Sequence, residues 1–313
     1  MKAARINEYG DTSVIHVTKI EKPAPQKGKV LVEVHASSIN PFDSAVRAGQ
    51  VQQTIPLRLP VTLGGDIAGK IVEIGEGVTG FEVGESIYGQ AAVVAGNSGA
   101  FAEYAVTAAT QIAQAPRNID FIKAASLPLV GSSAVQALYA HLALRPNQKI
   151  LITGGAGGIG SVAIQIATHL GAIVTATATG DGLKLAKHLG AHKAIDSQSD
   201  DLSKLPKDFD AIYDTVGGDS FKIALSALKA GGTAVTMRGE THQALAQEFG
   251  ITIIAQMTNV TTQTLTMLCE LVESGVVTPQ VAKVFDLEDI GEAFRLKESD
   301  NIQGKIVIAI HLT

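Results

Sequence analysis

The sequence predicts an α/β chain of two domains, a small β-rich, partly closed barrel followed by a doubly wound parallel sheet. Three observations carry that expectation. Up to about residue 115 the chain is a series of short apolar runs punctuated by Gly and Pro. From residue 149 onward, strand-like and helix-like runs alternate, which implies a parallel sheet with right-handed crossovers. Residues 150–180 contain no Asp, Glu, Lys or Arg, yet hold Gly154, Gly155, Gly157, Gly158 and Gly160 in a cluster. Length alone would let such a stretch span a membrane, but the glycines interrupt the continuous helix a span requires. A buried strand, turn, helix and second strand accounts for the same composition.

The elements follow in order. Residues 29–35 alternate apolar and polar in part, as a half-buried strand does. Short strands are expected at 72–75, 80–85, 86–88 and 101–106. Pro23, Pro25, Pro41, Pro56 and Pro60 mark loops or edges. Together these make a small barrel. After Pro116 helices are expected at 122–126 and 132–144. The alternating part then reads as strand 149–153, helix 158–170, strand 173–177, helix 182–189 closed by Gly190, strands at 194–195 and 210–214, helix 220–229 and strand 233–236. Helices at 263–274 and 290–297 and an apolar strand at 305–310 complete the chain.

Composition narrows the function. The 313 residues carry a formal charge of −5, with no Lys/Arg cluster, which argues against a nucleic-acid or anionic-membrane surface. The single cysteine, Cys269, rules out a disulfide framework and any multi-thiolate zinc or iron–sulfur site, and suits a reducing compartment. The polar N-terminal residues are unlike a secretory signal.

The strongest local signal is residues 153–160, Thr-Gly-Gly-Ala-Gly-Gly-Ile-Gly, where Gly155, Gly157 and Gly160 satisfy G-x-G-x-x-G between a strand and a helix. Glycine lets the backbone approach a pyrophosphate, and the helix N-terminus offers unpaired N–H groups and a positive dipole end. Gly155, Ala156, Gly157, Gly158, Ile159 and Gly160 are therefore the expected dinucleotide cradle. At the tip of the next strand, where an NAD site places an acidic residue, the chain has Ala178 and Thr179, with Lys184 nearby. Hydroxyl and ammonium groups suit a 2′-phosphate, so NADPH is expected over NADH, the alternative. Lys184 and Lys187 also fit a plain solvated helix face.

Residues 38–43, 63–72, 99–104, 127–134, 189–191, 214–218 and 304–307, with the glycine cluster, resemble in order the motifs of the medium-chain dehydrogenase/reductase superfamily, zinc-independent quinone oxidoreductase (zeta-crystallin-like) branch. The resemblance implies a GroES-like catalytic domain over 1–118, a Rossmann domain over 119–256, and a segment over 257–313 that returns to the catalytic domain. It puts Asn40 and Ser133 near the nicotinamide as catalytic candidates, with capping of local turns as the plainer role for both. It lines the cofactor with Val216, Gly217, Arg238, Gly239 and Lys305. The superfamily's zinc enzymes have a Cys where this chain has Asn40 and a His where it has Gly65; neither replacement suits a tetrahedral zinc site, so no metal is expected. Many relatives carry a Tyr just after the Asn-Pro motif, where this chain has Ser44, Ala45 and Val46. Some grip the 2′-phosphate with a Lys and a Tyr, where this chain has Gly182 and Leu185.

The resemblance thus implies NADPH-dependent hydride transfer to a small-molecule quinone or α,β-unsaturated carbonyl by a cytoplasmic homodimer, without nucleic acid or membrane. The rival readings are an enoyl-thioester reductase, which would need a basic groove for the carrier, and a nucleotide-binding structural or regulatory protein without turnover.

Overall fold

The computed structural model of the protein describes residues 1–239, 241–299 and 302–311. They form two compact units, Met1–Leu129 with Val260–Glu273 and Pro279–Thr313, and Val130–Asn259 with Ser274–Thr278.

The first unit is built on a seven-stranded sheet in the order Val281–Asp286, Lys305–Ala309, Lys29–Ser38, Asp66–Ile74, Ser86–Gln90, Ile112–Gln114, with Tyr104–Ala108 also on Lys29–Ser38. Lys29–Ser38 is ten residues long and serves three partners, so register errors anywhere along it would turn apolar side chains to the wrong face. A three-stranded sheet, His16–Lys19, Lys2–Ile6 and Val61–Thr62, packs beside it. Two apolar clusters fill the unit, one around Ile6, Phe101, Phe294 and Ile306, the other around Val32, Ile67 and Ile87. The helix Thr262–Glu273 belongs to this unit through Tyr88, whose buried hydroxyl donates to Leu265 O at 2.5 Å.

The second unit is a six-stranded parallel sheet in the order Lys193–Asp196, Ile173–Ala178, Lys149–Ile152, Phe209–Asp214, Leu228–Thr236, Thr252–Ala255. Strand order reverses between Lys149–Ile152 and Phe209–Asp214, the switch point where doubly wound sheets open a ligand crevice at their carboxyl ends. The uncharged stretch 150–180 is the strand, turn, helix and strand at the centre of this sheet. Among the described residues no helix is long and apolar enough to cross a membrane.

Several sequence expectations need correction. Residues 80–85 form no strand, because Gly80 and Gly84 take left-handed backbone at φ 82° and 93°. The strand expected at 101–106 is Tyr104–Ala108. The helix expected at 132–144 begins earlier, at Pro128, and changes at Gln136–His141 to a π-helical turn. The helix expected at 220–229 is Gly218–Leu225, and Leu228 already opens a strand. Residues 119–129, counted by sequence with the second domain, lie in the first unit, where the helix Phe121–Ala125 packs on Lys29–Ser38 and Asp66–Ile74. Pro116 marks the end of the strands, not the end of the unit.

Candidate active site

In the second unit the glycine turn links Lys149–Ile152 to the helix Gly158–His169, with Gly157 as its cap. Thr177 holds the turn: Gly155 N donates to its carbonyl at 2.7 Å and Gly154 N to its hydroxyl at 3.2 Å. A Cβ on Gly160 would lie 2.2 Å from Gly154 O, and one on Gly155 2.8 Å from the Ala176 Cβ. Only glycine lets the helix start this close to the strand. The N–H groups of Gly158, Ile159 and Gly160 fall in the first helical turn, where helix geometry leaves donors for an anion.

The helix after the next strand packs on this turn. A Cβ on Gly182 would meet the Ala156 Cβ at 2.7 Å, which sets the first turn of the helix Gly182–His188 against the cradle. Thr179 is half-buried just past the strand Ile173–Ala178. Lys184 is exposed and pairs with Asp181 at 2.8 Å; that contact holds Asp181 below the usual carboxylate range and raises Lys184.

Val216 and Gly217 follow the strand Phe209–Asp214, and Arg238 and Gly239 follow Leu228–Thr236. These loops touch: a Cβ on Gly217 would lie 2.6 Å from Arg238 Cγ. They border a cavity of about 290 Å³, with Phe221, Thr236 and His242 in its wall. Arg238 and Gly239 are exposed, Gly217 is buried. Ser133, also in this unit, is fully buried; its Oγ lies 2.6 Å from Thr258 Oγ1, and its carbonyl accepts from Gln256 Nε2 at 3.0 Å.

Asn40 and Lys305 meet in the first unit. Asn40 precedes the helix Pro41–Arg47 and its backbone N–H donates to Asp43 Oδ2 at 2.8 Å. Its Nδ2 donates to Asp66 Oδ2 at 2.8 Å, while its Oδ1 accepts from Lys305 Nζ. Lys305 Nζ also donates to Ile39 O at 2.8 Å and faces Asp66 Oδ2 at 3.8 Å. Ser38 Oγ and Leu129 N donate to the same carboxylate, each at 3.0 Å. Burial dominates the electrostatics: it raises Asp43 to about 7, raises Asp66 against the pull of Lys305, and lowers Lys305 to about 8. Asp43 caps its own helix through the Asn40 N–H three residues before it, a local pattern, whereas Asp66 gathers partners from distant parts of the chain, Ser38, Asn40, Leu129 and Lys305. Among the described residues no group of three or more His, Cys, Asp or Glu side chains is arranged to hold a metal ion.

Comparison with known proteins adds three findings. Residues 26–117 match the family described as alcohol dehydrogenase GroES-like domain, and residues 189–308 match zinc-binding dehydrogenase. The chain is 32% identical over 318 residues to the 2-methylene-furan-3-one reductase of Solanum lycopersicum, covering 98% of this chain and 79% of that protein. It is 31% identical to the chloroplastic NADPH-dependent alkenal/one oxidoreductase of Arabidopsis thaliana, with coverage of 98% and 79%. Among solved structures, the quinone oxidoreductase from Coxiella burnetii superposes with a TM-score of 0.90 at 28% identity, over 99% of each chain.

Proposed function

The chain belongs to the medium-chain dehydrogenase/reductase superfamily, in its quinone oxidoreductase branch, and from that membership we propose an NADPH-dependent reductase of quinones or α,β-unsaturated carbonyls. The observation that carries this reading is the glycine turn, where Gly160 sits against Gly154 O so closely that no side chain fits. NADPH, when bound, supplies a hydride from its nicotinamide. Gly158, Ile159 and Gly160 hold the pyrophosphate through backbone N–H groups, and Thr179 and Lys184 take the 2′-phosphate. Val216, Gly217, Arg238 and Gly239 flank the nucleotide. Hydride addition to a conjugated carbonyl places charge on an oxygen already delocalised, so orientation and a dry environment serve where a saturated alcohol would need a metal.

Zinc does not fit these residues. Asn40 and Gly65 offer neither thiolate nor imidazole, and the oxygen-rich nest around Asp66 already has the Lys305 ammonium in it. No step therefore runs through a metal. Asn40 and Ser133 enter this reading as holders of local geometry, because both are buried with their polar atoms bonded inside the protein. A homodimer, which rests on the family resemblance, and a cytoplasmic location, which the single thiol suits, belong to the same reading.

The test is nicotinamide oxidation followed with a panel of quinones, enones and enoyl thioesters, with zinc analysis and light scattering on the same preparation. Turnover with quinones or enones is expected. Tight NADPH binding without turnover on any acceptor would remove the enzyme reading, and preference for enoyl thioesters would favour the rival reductase.

A further inference from the structure

Asp214 ends the central strand Phe209–Asp214 and is fully buried. Among the described residues it has no ion pair, so its carboxylate is held by neutral donors alone. Oδ1 accepts from Thr153 Oγ1 at 2.6 Å, Gly217 N at 3.1 Å and Val216 N at 3.3 Å. Oδ2 accepts from Thr236 Oγ1 at 2.8 Å. A buried carboxylate persists without a counter-ion only when such donors satisfy it.

The direction of these bonds matters. A carboxylate only accepts, so each threonine hydroxyl that faces it must donate, and its oxygen is then free to accept. Thr153 Oγ1 accepts from Thr215 N at 3.0 Å, and Thr236 Oγ1 accepts from Arg238 N at 3.1 Å. Thr215 Oγ1 closes the first branch by donating to Thr153 O at 2.7 Å. The Asp214 carbonyl also takes Met237 N at 2.9 Å. One carboxylate thus ties the start of the glycine turn, the loop of Val216 and Gly217, and the loop of Arg238 and Gly239. Gly217, at φ 79°, turns its N–H onto Oδ1 in a backbone shape that side-chain residues rarely take.

We propose that Asp214 is the positioning residue of the nucleotide site, holding three cofactor loops in register through two threonine relays. This rests on the reading of those loops as the NADPH site. The relays predict an asymmetric variant. In Asp214→Asn the amide oxygen still serves Thr153, Val216 and Gly217, while its NH2 donates to Thr236 Oγ1; that hydroxyl loses its carboxylate acceptor and is no longer fixed in orientation, which loosens the Arg238 branch alone.

The experiment measures NADPH affinity, thermal midpoint and kcat for the full chain, its D214N, T236V and T236S variants, and the D214N/T236V double variant. D214N and T236V should each weaken NADPH binding about tenfold, with a smaller change in kcat. The double variant should be no weaker than either single one, because both cut the same link. T236S, which keeps the hydroxyl, should restore binding. Variants that fold, melt lower and bind NADPH as tightly as the parent would overturn the proposal, as would additive losses in the double variant. If D214N does not fold, the T236V and T236S pair decides the matter by the same criterion. Failure of the parent itself to bind NADPH would instead bring down the nucleotide-site reading, and this inference with it.

Discussion

Lys305 donates to Asn40 Oδ1 across 265 residues of sequence, and the same ammonium faces Asp66 Oδ2, the oxygen that Asn40 Nδ2 also binds. With Ser38 Oγ and Leu129 N on the same carboxylate, these groups form a buried polar cluster in the first unit. Removing one partner of a buried ion pair leaves the other charge uncompensated, which destabilises by about 3–5 kcal/mol. Lys305→Met should therefore lower denaturant stability by that order. Adding Asp66→Asn to K305M should recover part of it, because the orphaned charge is gone. Equal stability of K305M and the parent would show that the pair is not held as described.

Asp43 gives the same cluster a pH signature. Its folded value of about 7 lies above its ordinary value of 3.8, because burial disfavours the charged form. Folding therefore favours the protonated acid: this contribution is full below about pH 4 and is lost as pH rises towards 7. Asp43→Asn keeps an oxygen for the Asn40 N–H but cannot ionise. The stability of D43N relative to the parent should climb from pH 4 to pH 7. Parallel denaturation midpoints across that range would contradict the assignment.

Lys184 is paired with Asp181, yet both side chains are exposed, at 86% and 76%, so their bond is weak and easily exchanged for a ligand phosphate. Lys184→Ala should weaken NADPH about three- to tenfold and leave NADH nearly unchanged, as loss of one charge-assisted contact implies. Asp181→Asn should act oppositely, since it removes a carboxylate near the phosphate and frees the lysine. Titration of both nucleotides against both variants checks this. An unchanged NADPH/NADH ratio in K184A would exclude Lys184 from the site.

What was legible in the sequence was whatever depends on neighbours along the chain. The glycine turn declares itself because Gly155, Gly157 and Gly160 act within one strand–helix junction. The strands around it show as alternating apolar runs. The cluster of Asn40, Asp66 and Lys305 did not, because it exists only after Lys29–Ser38 pairs with both Asp66–Ile74 and Lys305–Ala309. The resemblance groups Lys305 with residues along the cofactor, but only the folded chain shows its bonds to Asn40 and Ile39. Asp43 is legible only as a cap three residues after Asn40; its burial is not, because the seven-residue helix Pro41–Arg47 is too short to show a period. Asp214 ends a strand that was readable, but nothing local indicates that Thr153 and Thr236 will converge on it.

Cys269 bears on how the protein survives its own substrates, since quinones and enones are electrophiles that alkylate thiolates. Burial and the nearby Glu273 and Glu270 carboxylates raise this thiol to about 11 from an ordinary 9.0. At neutral pH that shift cuts the thiolate, the reactive form, by about a hundredfold. The only thiol in the chain is thus held in its unreactive state. Incubation with excess enone or iodoacetamide at neutral pH should leave the folded protein unlabelled by mass spectrometry, while the denatured chain gains one adduct. Cys269→Ser should inactivate no more slowly than the parent on exposure to a quinone. Rapid single labelling of the folded protein, or marked protection by the serine, would refute this account.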